Sequence, residues 1–223
     1  MMCGNFLTCL LMKIIKSCNF ARRDVQTQNP MDEVRSLKSM TLEELWELFP
    51  VVLVPHDPRW EEWACNEVGY LSEILSDFCP RISHVGSTAI PDIWAKPIID
   101  ILIEVSIGSD WRDICEVMEA NGYMCMSSSM TRMSFNKGYT TEGFAERVFH
   151  IHVHGTGDND EIYFCDYLRR NPETAREYEK LKRSLLPKFR NNRDGYTDAK
   201  SEFVRMVMKL AKGDVKQSVW RGL

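Results

Sequence analysis

Residues 84–105 read HVGSTAIPDIWAKPIIDILIEV. The second half, Ile98–Val105, is rich in β-branched residues and predicts a buried strand. The segment Arg81–Val85 is predicted to be extended, and Gly86–Lys96 is predicted to form a loop of small residues and prolines. Glycine lets backbone N–H groups approach an anion, and Asp100 projects from the following strand. This stretch therefore predicts an anion site beside a carboxylate that can hold a metal.

The chain before this stretch predicts two helices and one strand. Thr41-Leu42-Glu43-Glu44 is typical of a capping box that opens a short helix through Phe49. Val51–Val54 is interpreted as a first buried strand. Pro58 suits the first position of the next helix, whose apolar residues recur at helical spacing until Pro80 ends it.

The chain after this stretch predicts four helices: Trp111–Ala120, Asp160–Arg170, one opened by Asn171-Pro172, and Tyr196–Lys212 ended by Gly213. It also predicts two extended segments, around Met130–Asn136 and Arg147–His154. Strands and helices alternate at first, and helices alone fill the C-terminal part. This order predicts an α+β fold: a mixed β-sheet with helices packed on it and a helical C-terminal cap.

Length and composition favour one domain. The 223 residues carry a formal charge of −4, and the basic residues are spread along the chain, so there is no strong nucleic-acid signal. We interpret residues 1–38 as a poorly ordered extension and residues 39–215 as the folded domain. No apolar run is long enough for a membrane span, and the eight cysteines form no C-x-x-C pair or zinc-like cluster, which favours a reduced, cytoplasmic protein.

The stretch at 84–105 resembles the characteristic motif of the GrpB family. FHIHVH at 149–154, DYLRRNPETAREYEKLKRSL at 166–185 and NRDGYTDAKSEF at 192–203 are similar to later blocks of that family, in the same order. The resemblance covers about residues 40–212. It implies a nucleotidyltransferase-like fold related to the core of polymerase-beta-like enzymes, in which Gly-Ser holds nucleotide phosphates and strand carboxylates hold magnesium. In some organisms a similar domain is fused to dephospho-coenzyme A kinase.

The acidic motif departs from the pattern of active nucleotidyltransferases. Such enzymes present two carboxylates, two residues apart, to two metal ions. Here Leu102 occupies the second position after Asp100. Glu104 shares the same face of the strand but lies roughly 13 Å from Asp100 at about 3.3 Å per residue. The sequence therefore predicts a degenerate two-metal site.

The HIHVH segment offers other ligands. Strand alternation places His150, His152 and His154 on one face. Asp100 with His150 and His152 would suit zinc, manganese or iron better than magnesium. The alternative is that His152 hydrogen-bonds within the site and His154 is solvated at the strand end.

Several further residues are candidates for catalysis or phosphate binding. His84 is interpreted either as a phosphate donor or general base, or as a structural hydrogen-bonding residue. Ser87 and Thr88 either donate to phosphate or cap the next turn. The basic and aromatic candidates for the anion site, each with an ordinary solvated position as its alternative, are Lys96, Arg132, Lys137, Tyr196 and Lys200.

Three functions are compatible with these residues. The first is nucleotidyl or phosphoryl transfer from a nucleoside triphosphate to a small acceptor, with Asp100, His84 and Lys96 as catalytic residues and a divalent cation (magnesium, manganese or zinc) as cofactor. The second is an inactive accessory module that binds a nucleotide or another phosphate-bearing small molecule, alone, as a homo-oligomer or beside a protein partner. The third is a histidine-dependent metallohydrolase.

Overall fold

The computed structural model describes residue 37 and residues 39–221. Its regular elements, in chain order, are α1 (Leu42–Leu48), α2 (Arg59–Ile74), β1 (Arg81–Val85), β2 (Ile99–Val105), α3 (Trp111–Ala120), β3 (Met124–Ser128), β4 (Arg132–Thr140), β5 (Gly143–Gly155), α4 (Asp160–Arg170), α5 (Pro172–Phe189), α6 (Arg193–Asp198) and α7 (Ser201–Arg221). Two short 3₁₀ turns, Ser76–Phe78 and Ser87–Ala89, flank β1.

The five strands form one mixed sheet in the order β1-β2-β5-β4-β3. The neighbours β1 and β2 are antiparallel, β2 and β5 are parallel, and the remaining pairs are antiparallel. The chain therefore crosses over through α3, β3 and β4 before β5 returns beside β2. The predicted α+β class with a mixed sheet is confirmed.

Each face of the sheet packs on its own set of helices. Odd-numbered residues of β2 and β5 contact α2 and α3, where Ile101, Ile103 and Ile151 are fully buried with Leu71 and Met118. Since strand side chains alternate, the even-numbered residues point to the other face. A second apolar cluster of α4, α5 and α7 forms there with the 87–93 loop. This second face carries Asp100 and the histidines of β5.

Local sequence signals explain several boundaries. Glu44 N–H donates to Thr41 Oγ1 at 3.3 Å and the Glu44 carboxylate accepts from Thr41 N–H at 2.8 Å, so the predicted capping box is confirmed. Asp110 accepts from the first turn of α3, also as predicted. The end of α2 falls at Ile74 rather than beside Pro80, because a 3₁₀ turn and a left-handed Cys79 intervene.

One predicted strand is absent from the structure, and one observed strand was not predicted. Val51–Val54 is not a strand within the described residues: only Val54 forms a bridge, with Ala95, while Val51 N–H donates to the carbonyl of Arg190. The apolar sequence of this segment reflects the burial of Val51, and a buried segment need not be a paired strand. β3 was not predicted, since its sequence, MCMSS, lacks β-branched residues.

The predicted helix Tyr196–Lys212 is also wrong in extent. The structure divides it into α6 and α7 at Ala199-Lys200, and α7 continues past Gly213 to Arg221. The predicted N-terminal extension lies outside the described residues except for Leu37, which is buried. No helix among the described residues has the length and apolar character needed to cross a bilayer.

Candidate functional site

Asp100 and two histidines meet at one end of the β2–β5 pair. The parallel register sets Asp100 opposite His150. His150 Nδ1 lies 3.4 Å and His152 Nε2 lies 3.8 Å from Asp100 Oδ1. The structure thus brings together the three residues that the sequence predicts as metal ligands.

Gly86 forms the wall next to this carboxylate. β1 ends at Val85, directly opposite Asp100, and Gly86 follows with φ 73° and ψ −168°. This backbone region is essentially restricted to glycine. A Cβ atom on Gly86 would lie 2.3 Å from Asp100 Oδ2. Glycine is therefore required here both for the turn and for the close approach of the turn to the carboxylate.

A chain of polar groups fixes the orientation of His150. Arg193 Nη2 donates to the Tyr139 hydroxyl oxygen at 2.7 Å, and that hydroxyl lies 2.7 Å from His150 Nε2. Because Arg193 can only donate, the Tyr139 proton is free to be donated to Nε2. His150 then carries its proton on Nδ1, toward Asp100. This assignment agrees with burial, which lowers the pKa of His150 and favours the neutral ring.

Asp100 and His152 each stabilise the charged form of the other. Burial alone would raise the pKa of Asp100, but the two imidazoles outweigh burial and hold that pKa well below its ordinary value. Burial alone would lower the pKa of His152, but the Asp100 carboxylate outweighs it and the pKa of His152 is raised. Asp100 is therefore ionised at neutral pH, and His152 is the imidazole that protonates more readily.

These groups form one wall of a cavity of about 380 Å³ beneath the C-terminal helices. Its other walls come from the 86–98 loop, from α4, α5 and α6, and from Lys200 in the turn before α7. The lining residues are Gly86, Ser87, Lys96, Ile98, Asp100, His150, His152, Phe164, Tyr178, Lys182, Arg193, Asp194, Tyr196, Thr197 and Lys200.

Four cationic side chains converge on the cavity: Lys96, Lys182, Arg193 and Lys200. Aromatic rings and carbonyls hold several of them. Lys182 Nζ donates to the Trp94 carbonyl and lies 4.7 Å from the Tyr178 ring centroid, and Lys200 Nζ lies 4.6 Å from that of Tyr196. Within the described part of the chain, none of the four has a carboxylate oxygen within 4.0 Å.

Burial first, and for two of the lysines the neighbouring cations as well, lowers the pKa of these amines. Burial, together with Lys200 and Lys96 nearby, lowers the pKa of Lys182 to about 7. Burial, Arg193 and Lys200 lower the pKa of Lys96 to about 8. Burial also lowers the pKa of Lys200. An anion entering the cavity would relieve the repulsion among these cations and favour the charged amines.

An apolar cavity of about 490 Å³ adjoins the cationic one. The two share five lining residues: Gly86, Asp100, His152, Phe164 and Tyr178. The residues added by the second cavity are Val85, Asp160, Glu161, Val204, Arg205 and Met208. A ligand with a charged end and an apolar ring could span both.

His84 and Thr88 do not line the cavity. His84 Nε2 lies 3.0 Å from Thr88 Oγ1, and the His84 side chain is 9% exposed. The catalytic role predicted for His84 and the phosphate contact predicted for Thr88 remain predictions. This pair fits the structural alternative. Ser87 does line the cavity and hydrogen-bonds Tyr178.

Arg132 and Lys137 also lie outside the lining of the cavity, so their predicted role at the anion remains a prediction. Arg132 forms a bidentate ion pair with Asp158, with both distances 2.6 Å, at the far end of β4. Lys137 pairs in register with Phe149, on the α2 side of the sheet, and its Nζ lies 2.6 Å from Glu67 Oε1. Register with β5 places Lys137 on the α2 face and places Arg132 beside His154, at the end of the sheet away from Asp100. This register could not be derived from the sequence.

Lys182, Tyr178 and Tyr139 belong to the site but were not predicted. Lys182 lies four residues after Tyr178, and both lie on the buried side of α5 with Ala175. A lysine that falls at the spacing of the apolar residues of an amphipathic helix could have indicated a site residue, since lysine is rarely buried unless it is paired. Tyr196 reaches the cavity from α6 and Lys200 from the turn between α6 and α7, not from one helix face.

The site does not fit a pair of magnesium ions. Leu102 is fully buried, and Glu104 Oε1 accepts from Gly157 N–H and the Asn159 amide, both at 3.1 Å. This leaves Asp100 as the carboxylate beside the Gly-Ser turn. One carboxylate and two imidazoles are the ligand types that suit a single zinc or manganese ion. Such an ion would supply positive charge next to a bound phosphate.

Comparison with known proteins identifies the family. The GrpB protein family model matches residues 50–210, so the chain belongs to the GrpB family. The chain is 35% identical over 164 residues to the glutamate-rich protein GrpB of Alkalihalophilus pseudofirmus, covering 71% of this chain and 94% of that protein. It spans only about half the length of some other bacterial relatives.

Two further matches bear on fold and context. The crystal structure of GrpB from Enterococcus faecalis aligns with a TM-score of 0.63 and 26% identity, covering 74% of this chain and 99% of that chain. The two chains therefore share one fold, an α+β arrangement with a mixed sheet in this protein. A dephospho-CoA kinase of Mycolicibacterium paratuberculosis is 27% identical over 197 residues, which are 77% of this chain and 48% of that protein.

Proposed function

We propose that this protein binds a phosphate-rich small molecule of the nucleotide type in the cavity beneath its C-terminal helices. One observation carries the proposal: Lys96, Lys182, Arg193 and Lys200 converge there, and among the described residues none of them has a carboxylate oxygen within 4.0 Å. Burying unpaired cations is costly, and a polyanion removes that cost on binding. The ordinary solvated setting does not explain Lys182, which is 2% exposed.

The proposed role is that of a binding module. Leu102 stands on β2 where the second carboxylate of a two-metal pair would lie, which removes the usual means of two-metal phosphoryl transfer. The match to one region of a dephospho-CoA kinase fits a module that works beside an enzyme. Histidine-dependent hydrolysis is the weaker alternative, because His154 is withdrawn from the cavity by its contact with Asp158.

Calorimetry on the full chain with EDTA present tests the binding proposal. Inorganic triphosphate and ATP should both bind, while adenosine should bind at least about 100-fold more weakly, a difference of about 2.7 kcal/mol. Arg193→Gln should weaken triphosphate by about tenfold or more, since hydrogen bonds to charged groups contribute about 1.5 to 3 kcal/mol. Arg176→Gln, an exposed position on α5, is the matched control and should bind like wild type. Equal affinity for adenosine and ATP would contradict the proposal.

A second candidate, nucleotidyl or phosphoryl transfer, is favoured by the two imidazoles that face Asp100. The test is to measure manganese binding, with water-proton relaxation as the readout. Affinity should decrease as the pH decreases through the histidine range of about 6 to 7, because ligation requires neutral rings. Asp100→Ala should remove binding and His152→Ala should weaken it. Transfer is excluded if metal binds in this way but no acceptor or nucleotide is turned over.

A further inference from the structure

A second cluster of metal-capable side chains lies on the other face of the sheet. Cys115 Sγ, a carboxylate oxygen of Glu119 and Cys125 Sγ all lie within 4.8 Å of one another. The spacing of the cysteines in the sequence did not predict this cluster. The two thiols are ten residues apart, which is outside the short spacings of common zinc motifs.

The turn between α3 and β3 creates the cluster. Cys115 and Glu119 are four residues apart on α3 and thus lie on the same side of the helix. The chain then reverses at Gly122, where φ is 82°, and returns as β3 with Cys125 as its second residue. Cys125 pairs with Phe135, so its side chain faces α3 and the core between them.

The cluster combines protection with access. Cys115 and Cys125 are half-buried against the apolar core, whereas Glu119 is exposed. The carboxylate therefore marks the side from which an ion would enter. Glu116 adds negative charge next to Cys115, and its partner Arg112 is 3.9 Å away on the solvent side of α3.

We propose that Cys115, Glu119 and Cys125 bind a divalent cation of the zinc type, with water in the fourth position. Two sulfurs and one carboxylate oxygen suit zinc, and three protein ligands leave a tetrahedral ion with one open position. Two sulfurs on one tetrahedral zinc lie about 3.8 Å apart at Zn–S distances of about 2.3 Å, so the observed cluster needs only small side-chain movements. Binding releases the two thiol protons to solvent.

An ion at this site would stabilise the edge of the sheet formed by β3. β3 is the outer strand next to β4, with no strand on its other side among the described residues, and its sequence has little intrinsic strand preference. A bound ion links β3 to α3 across the turn. Because it binds the folded form, it raises the melting temperature of the whole domain.

Cobalt absorption tests the proposal separately from the cavity. The full chain is used with Cys3, Cys9 and Cys18 changed to serine, so that only thiols of the described residues remain. Cobalt should give a thiolate-to-metal charge-transfer band at one ion per chain, and zinc should abolish it. Asp100→Ala should leave this band unchanged, because that site contains no thiol, so a failure here does not affect the proposed nucleotide site.

Variants then locate the ligands. Cys115→Ser and Cys125→Ser should each reduce zinc affinity by more than about tenfold, since even outer-shell partners cost about 10- to 100-fold. Glu119→Gln should weaken zinc but keep the charge-transfer band. Cys65→Ser and Cys79→Ser, at exposed cysteines, are the controls and should bind like the background. No band, or an unchanged band in Cys115→Ser and Cys125→Ser, would overturn the proposal.

Discussion

The two ends of the β2–β5 pair contain the same types of residue in the same register, yet they differ in what surrounds them. At one end Asp100 lies beside His150 and His152 and faces a cationic cavity. At the other end Glu104 pairs in register with His154. There the Gly157 N–H and the Asn159 amide donate to Glu104 Oε1, while Arg81 Nε lies 3.7 Å from Glu104 Oε2. The Asp158 carbonyl contacts His154 Nδ1 at 2.9 Å.

This comparison shows that a carboxylate and a histidine on adjacent strands do not define a site. The segment after β5 supplies the two donors to Glu104, a backbone N–H and a side-chain amide, and closes that end. At the Asp100 end the Gly86 turn leaves the carboxylate 29% exposed, and the helical cap brings cations to the cavity. The Glu104 end is expected to contribute to stability and the Asp100 end to binding.

The largest effect should come from the glycines at the two ends. Gly86→Ala adds a Cβ atom 2.3 Å from Asp100 Oδ2, whereas Gly157→Ala adds one with nothing within 4 Å, and both have positive φ. Gly157→Ala should cost about 1 to 2 kcal/mol for the left-handed backbone alone. Gly86→Ala adds overpacking of about 1 to 3 kcal/mol. Urea denaturation measures both, and equal losses would contradict the close approach at Gly86.

The next effect concerns Glu104. Glu104→Ala leaves the Gly157 N–H and the Asn159 amide without their acceptor, so unfolding free energy should fall by about 2 kcal/mol. Triphosphate affinity should stay within about twofold of wild type under conditions where the variant is folded. A large loss of affinity in the folded variant would show that both ends belong to the ligand site.

The buried lysine predicts a pH dependence of stability. The pKa of Lys182 is lowered to about 7 in the fold, against about 10.4 in the unfolded chain. Between these values the unfolded chain binds more protons, so the stability of the ligand-free protein should rise with pH, by at most about 1.4 kcal/mol per unit from this group. Lys182→Met should flatten the rise between pH 7 and 9. If the stability of the ligand-free wild type fell with rising pH over this range, the burial of an unpaired amine at Lys182 would be contradicted.

The smallest effect should be a gain in affinity. Asp100→Asn removes the negative charge beside the bound phosphate, so metal-free triphosphate should bind about fivefold more tightly, in line with about 1 kcal/mol for a screened charge pair. Glu104→Gln, at the closed end, should leave affinity unchanged. Calorimetry in EDTA compares the two. A weaker affinity in Asp100→Asn would indicate that the carboxylate contacts the ligand through a donor of the ligand.

The sequence predicted the elements whose signals are local. The capping box at Thr41, the strand that carries Asp100 and the Gly86 turn follow from residue chemistry within a few positions. The meeting of Asp100 with His150 and His152 followed from alternation and family resemblance. The position of Lys137 could not be predicted because the face of a β4 residue depends on register with β5.

Lys182 was not identified because lysines in helices are usually solvated, and its burial depends on how α5 packs over the cavity. Cys115 and Cys125 were not connected because the turn that joins α3 to β3 carries no recognisable motif. These omissions share a physical cause: each contact joins elements whose relative position is set by packing, not by local sequence.

The central claim is that buried cations in the cavity bind a polyphosphate, and Lys182 tests it most directly. Calorimetry would compare inorganic triphosphate binding at pH 6.5 and pH 9 for wild type, for Lys182→Met, and for Lys180→Met, an exposed lysine on the same helix. Wild type and Lys180→Met should bind at least about tenfold more weakly at pH 9, where an amine of pKa about 7 is neutral. Lys182→Met should bind weakly at both values. Affinity that is equal in Lys182→Met and wild type at pH 6.5 would contradict the account.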